Sequence, residues 1–411
     1  MLIFSSSEYE SRWKRADRAL AAEGLEAAVV WGRTASTFDR AGDVIYLTNY
    51  FSSKVGQGFD APPFAARAYC AVILRRGAEP VLIADDPDVH SDVVSVCDFR
   101  VAGDPIAKTV DTLREFGISG RIGFVGTDFF PVKYWDQLIA LKPDVDWTPC
   151  DDLIRRIRMV KSTAEMDVIR VAGKTASKAM SCMMEALIEG ATETAAAASA
   201  AECVVAGGGV IDKIQINHGK TIAYTCGDPL SGYRNVAPER GDLLRGFIIG
   251  PFYQGYYLDP GRTAVCGNVP NDVQAALIES CADIVEAIAA AINPGVRYST
   301  AAAIGDRMTA AFAPDMDPAA EKFPFFGHPH GLYFEGPPYI STVLEHQNAV
   351  FEEGMLIGVE AFLARKGVGN AGFEQNYLVT ATGLECVTTT PMLWHRRQTP
   401  QPETAPDRKT V

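Results

Sequence analysis

The chain has no apolar run near the roughly 18 residues that a membrane helix requires, and residues 1–8 carry no basic stretch leading into a long apolar core. No membrane partner or secretory leader is expected, and the expected location is the cytoplasm. Positive charge is also in deficit, with 38 Lys and Arg against 51 Asp and Glu and a net charge of −13. That field repels nucleic acid and anionic lipid, so neither is expected as a partner, while a small-molecule substrate stays open. CxxC spacing is absent as well. The nine cysteines, odd in number, are scattered from Cys70 to Cys386 and read as reduced thiols used as small core residues. Nothing in this pattern supports a thiol nucleophile.

What is present suffices for two cores: 411 residues, 47% hydrophobic and 22% charged. Tyr9, Trp13, Ala16 and Leu20 recur at helical spacing and end at Gly24, and residues 27–31 then read as a buried strand. A second apolar run follows at 44–50. Residues 68–74 and 79–84, joined through Arg76-Gly77, read as a hairpin, and a helix over 109–116 and a strand over 121–125 continue the α/β alternation. Ser162 with Glu165 forms a capping-box pattern opening a helix to about Ile188. Further helices are predicted over 192–205, 271–292 and 299–312, two helix pairs each associated with strands.

Chemistry concentrates in the second half. The run Phe325-Phe326-Gly327-His328-Pro329-His330-Gly331-Leu332 is followed by Glu360 after Gly354-Met355 and by Glu374 shortly before Val379-Thr380. Upstream, Asp259 lies in Gly255-Tyr256-Tyr257-Leu258-Asp259-Pro260-Gly261-Arg262-Thr263. Three carboxylates among apolar neighbours are costly unless a cation or a proton neutralises them. Oxygen ligands with an imidazole suit Mn, Fe, Co or Zn, whereas Ca disfavours the histidine. In a strand, His330 shares the face of His328 and is a candidate proton shuttle.

The order Asp259, His328, Glu360, Glu374 with these flanks resembles the pita-bread metallopeptidases, the M24 family that includes methionine aminopeptidase, prolidase, aminopeptidase P and creatinase. The resemblance spans nearly the whole chain. It implies an α+β fold: a creatinase-type α/β N-terminal domain over 1–155, a pita-bread catalytic domain over 156–396, and a mobile tail over 397–411. It also implies a homodimer and a divalent metal held by Asp259, His328, Glu360 and Glu374, with Glu360 relaying a proton. Arg67 aligns with a creatinase arginine that reaches a substrate carboxylate.

The pattern departs from the family in three places. The first family aspartate falls near Phe247-Ile248-Ile249, where no acid stands, which implies one ion rather than two. Two family histidines are replaced near Tyr233 and at Glu335; both residues are kept as catalytic candidates, and Tyr233 also as a substrate contact. His218 is a weaker candidate, and Arg262 and Thr263 read as braces. The leading expectation is hydrolysis of a C–N bond in a small amide- or amidine-like, or dipeptide-like, substrate. The alternatives are a metal-dependent lyase resembling dimethylsulfoniopropionate lyase with Glu335 as base, a metal-free creatinase-like hydrolase with His328 as acid–base, and an inactive binding scaffold.

Overall fold

A computed structural model describes residues 2–34, 41–52, 68–86, 92–222, 233–312, 314, 316–317 and 323–397. Arg67 and the tail beyond 397 lie outside these. The chain divides into two compact units, Met1–Ala164 with Gly331–Phe334, and Glu165–His330 with Glu335–Val411.

In the first unit the elements run α1 (Ser6–Ala22), β1 (Ala27–Arg33), α2 (Gly42–Thr48), β2 (Tyr69–Arg75), β3 (Val81–Ala84), β4 (Phe99–Val101), α3 (Pro105–Glu115), β5 (Gly120–Val125), α4 (Val132–Leu141), β6 (Val145–Pro149) and α5 (Asp152–Met159). The strands form one sheet in the order β4-β3-β2-β1-β5-β6. Alternate residues of β1 (Ala27, Val29, Trp31) meet Ala71, Ile73 and Ile83, and Ile106, Val110 and Leu113 of α3 close over them. The expected hairpin is β2–β3, with Cys70 opposite Ala84. The apolar run at 44–50 folds mostly as α2, which ends at Asn49 in the left-handed conformation (φ 59°). Asp104 caps α3 by accepting the Ile106 and Ala107 N–H groups at 3.0 Å.

The second unit continues with α6 (Thr163–Ile188), α7 (Glu193–Ala206), β7 (Lys213–His218), β8 (Leu243–Tyr253), β9 (Tyr256–Leu258), β10 (Gly261–Val265), α8 (Asp272–Ala291), α9 (Tyr298–Phe312), β11 (Gly327–His330), β12 (Leu356–Arg365), β13 (Gly369–Thr380) and β14 (Gly383–Cys386). Its sheet runs β11-β12-β13-β10-β8-β7, with β14 added to β13 and β9 to β8. Thr192 caps α7, and Asn271 with Gln274 forms a complete capping box on α8. Glu165, read from the sequence as half of such a box, is buried and accepts the Tyr256 hydroxyl at 2.8 Å.

Packing fixes the back of this sheet. Cys281 of α8 donates its thiol to the Ala361 carbonyl of β12 at 3.2 Å, and Met183 and Met184 of α6 lie against Gly246 of β8. Arg262 is wholly buried and donates to the Glu374 carbonyl at 2.6 Å and the Thr390 carbonyl at 2.8 Å. Thr263 exchanges hydrogen bonds with the Gly372 backbone. Among the described residues, no helix is long and apolar enough to cross a membrane.

Candidate metal centre

Antiparallel register brings the chemistry together. Glu360 on β12 lies directly opposite Glu374 on β13, and Gly358 lies between His328 on β11 and Asn376 on β13. Because side chains alternate along a strand, His328 with His330, Gly358 with Glu360, and Glu374 with Asn376 form three pairs that share one face. Asp259 enters from the end of β9. Two carboxylates directly opposite each other destabilise a sheet unless something positive lies between them.

The distances are short. His330 Nε2 lies 2.9 Å from Asp259 Oδ1 and 3.5 Å from Glu374 Oε1, and His328 Nε2 lies 3.6 Å from Asp259 Oδ2 and 3.8 Å from Glu360 Oε1. One ligand atom from each of Asp259, His328, His330 and Glu374 falls within 4.8 Å of all the others. That tight set contains His330, and Glu360 stands beside it against His328. Asn376, which sequence reasoning missed, donates to Asp259 Oδ1 at 2.8 Å while its own Oδ1 accepts the Asp259 N–H at 3.3 Å. Its position two residues beyond Glu374 on a strand was the signal that could have found it.

Burial controls the charges. It raises Glu360 well above the ordinary carboxylate range, and the Asp259 charge adds to the effect. Glu374 is raised by burial and then by Asp259 and Glu360. Burial also opposes the charge of Asp259, but His330 and hydrogen bonds from Glu374 and His330 outweigh it and hold Asp259 below the usual range. His328 is pushed down to about 4 by burial and by His330. Without a cation, burial thus favours the protonated forms of Glu360 and Glu374. The buried Glu374 Oε1 accepts no hydrogen bond among the described residues. The donor set and its charge fit a divalent ion.

The remaining candidates lie as follows. Glu335 is buried, and its N–H donates to the Pro329 carbonyl at 2.9 Å, tying it to the strand that carries both imidazoles. Tyr233 is 42% exposed and lies near Thr194, while its neighbour Arg234 pairs with Glu193. His218 is held 3.1 Å from the same Glu193. Around Phe247, where the first acid is missing, the structure is aromatic: the ring covers Gly261 and stacks on Phe362 at 5.5 Å. From there Phe362, Phe323, Phe325 and Tyr339 form a continuous row, with centroid spacings of 4.6–4.9 Å, that ends beside His328.

Comparison with known proteins is decisive for the family. The model for metallopeptidase family M24 matches residues 167–381, and that for the creatinase/prolidase N-terminal domain matches residues 12–160. The chain belongs to metallopeptidase family M24. It is therefore a metal-dependent hydrolase with a creatinase-type N-terminal domain and a pita-bread C-terminal domain. It is 31% identical over 303 residues to a probable dipeptidase PepE of Mycobacterium tuberculosis, covering 72% of this chain and 75% of that one. It is 26% identical over 299 residues to an Xaa-Pro dipeptidase of Pyrococcus horikoshii, covering 70% and 76%. Among solved structures, an Xaa-Pro dipeptidase from Bacillus anthracis superposes with a TM-score of 0.76 over 94% of this chain and all of that one, at 19% identity.

Proposed function

We propose that this M24 hydrolase cleaves the C–N bond of a small dipeptide-like amide at a single divalent ion. The observation that carries the reading is the facing pair Glu360 and Glu374, buried with Asp259 around His328, an excess of negative charge that a bound cation offsets. The similarity to a probable dipeptidase and to an Xaa-Pro dipeptidase supports a dipeptide-like substrate. The phenylalanine at 247 supports one ion rather than two, because its ring puts apolar surface where a second cation would need anionic oxygen.

Asp259, His328 and Glu374 are the residues to hold the ion, with Glu360 at their edge. When bound, a divalent ion polarises a carbonyl and acidifies a water. The protein's own groups do the rest. Asn376 fixes the Asp259 carboxylate by its two hydrogen bonds. Glu360, whose burial raises its proton affinity, takes the proton released on attack and returns it to the leaving nitrogen. Phe325 and Tyr339, beside His328, exclude water and pack an apolar part of the substrate.

The test is purified protein stripped by a chelator, reloaded with Mn, Co or Zn, and assayed on a panel of dipeptides and simple amides by free-amine release. Chelation should abolish turnover and one equivalent of metal should restore it. Turnover indifferent to chelation in protein shown to be metal-free would overturn the reading, as would an alkene product in place of an amine.

A further inference from the structure

We infer that His330 is itself a metal ligand, completing a set of two imidazoles and two carboxylates (Asp259, His328, His330, Glu374) that favours zinc, cobalt or iron over manganese, magnesium and calcium. The inference rests on the metal-centre reading above and goes beyond it by changing the donor atoms. Ligand atoms bonded at about 2.0–2.2 Å to one ion lie about 3–3.6 Å apart. His330 Nε2 lies 3.5 Å from Glu374 Oε1, within that spacing, and 2.9 Å from Asp259 Oδ1, at its short edge, while His328 Nε2 lies 3.6 Å from the other Asp259 oxygen, Oδ2. The two imidazole rings converge, with centroids 4.4 Å apart.

The neighbouring strand is shaped to admit this second ring. A Cβ on Gly358 would lie 2.6 Å from His330 Nε2 and closer still to Glu374 Oε1, so the ring and the carboxylate both occupy the space that a side chain there would take. Glu374 Oε1, buried and accepting no hydrogen bond among the described residues, points into the same space. Pro329 sits between the two histidines on β11, the terminal strand of its sheet among the described residues, where a missing N–H is tolerated. Glu335 anchors the Pro329 carbonyl and holds the strand that presents both rings. Replacing an oxygen ligand by a nitrogen moves the site toward metals that imidazole suits. It also leaves Glu360, outside the tight set, available to carry a proton.

The experiment counts nitrogens without relying on turnover. Metal-free full-length protein is loaded with one equivalent of copper(II), and the coupled imidazole nitrogens are read by pulsed electron paramagnetic resonance. Two coordinated imidazoles are expected in the wild type and one in His330→Gln. Competition with a chromophoric chelator should show cobalt and zinc affinity falling more than about 100-fold in that variant, beyond the roughly 10–100-fold typical when only an orienting partner is lost. Manganese affinity should fall less. A single imidazole in wild-type protein that binds metal normally would overturn the assignment of His330 and leave the hydrolase reading intact. No stoichiometric binding of copper, cobalt, zinc or manganese would overturn both. The wild-type count needs no variant, so a poorly folding substitution does not blunt the test.

Discussion

Replacing Gly358 with alanine should separate metal binding from folding. The new methyl would lie 2.6 Å from His330 Nε2, so restoring an ordinary contact of 3.4 Å moves the ring by about 0.8 Å. Metal–ligand distances tolerate about 0.2 Å, so the imidazole or the Glu374 carboxylate leaves the coordination sphere. The groups that must yield are side-chain ends, and the backbone of Gly358 is not in the left-handed region. The folding penalty should thus sit near the bottom of the range of about 1–3 kcal/mol for overpacking, a loss of roughly 2–4 °C in Tm for a unit of this size. Affinity for cobalt or zinc should drop at least about 100-fold, equivalent to about 2.8 kcal/mol. Chelator competition and thermal unfolding of the metal-free protein read the two effects separately. Unchanged affinity in a well-folded variant would mean that His330 and Glu374 do not converge on an ion beside Gly358.

Burial raises Glu360 and Glu374, so in the metal-free protein their contribution to stability is full below the ordinary carboxylate pKa and is lost as pH climbs through the raised values. His328, pushed down to about 4, is already neutral above pH 5 and does not compete with metal there; the Tm gain on adding zinc should therefore grow as pH climbs through the raised glutamate values, and a gain independent of pH would contradict the upward shift of Glu360 and Glu374. Metal analysis of reloaded protein should give about one ion per chain; two would mean that another group replaces the acid missing near Phe247. Glu335→Gln should keep its metal and lose less than about tenfold in kcat, a modest share of the 10²–10⁴ that a general acid–base supplies, and complete loss with metal retained would make Glu335 an essential base. Light scattering should give a solution mass of twice 44.4 kDa, the homodimer proposed from the family resemblance, and a fully active species of 44.4 kDa would refute it.

Much of the framework was legible because it depends on local chemistry. Thr192 and Asn271 announce their helices as caps, and the hairpin around Arg76-Gly77 follows from apolar runs and a turn. Asp259, His328, Glu360 and Glu374 stood out because each is an acid or imidazole in an apolar run. What escaped was register. Asp259 meets Asn376 across 117 positions, and no local pattern says that Gly358 faces His328 rather than a neighbour. The tight grouping of His330 with Asp259 and Glu374 depends on that pairing, as does the aromatic row from Phe247 to Tyr339. Residues 44–50 have the apolarity of a strand and became a helix because Asn49 could end one in the left-handed conformation.

Every proposed ligand except Asp259 is carried by one of three adjacent strands, so the centre inherits the parity of the sheet. Substitutions in β11 or β13 change one donor at a time and can retune which metal is held, and those in β12 alter Glu360 or the room beside Gly358. Adding or deleting one residue within a strand turns every side chain beyond that point to the opposite face. An insertion in β12 between Leu356 and Gly358 that kept pairing at one end would displace Glu360 from Glu374 and put a side chain where Gly358 leaves room. Point mutation can therefore explore metal choice gradually, whereas changes in strand length abolish the centre in a single step.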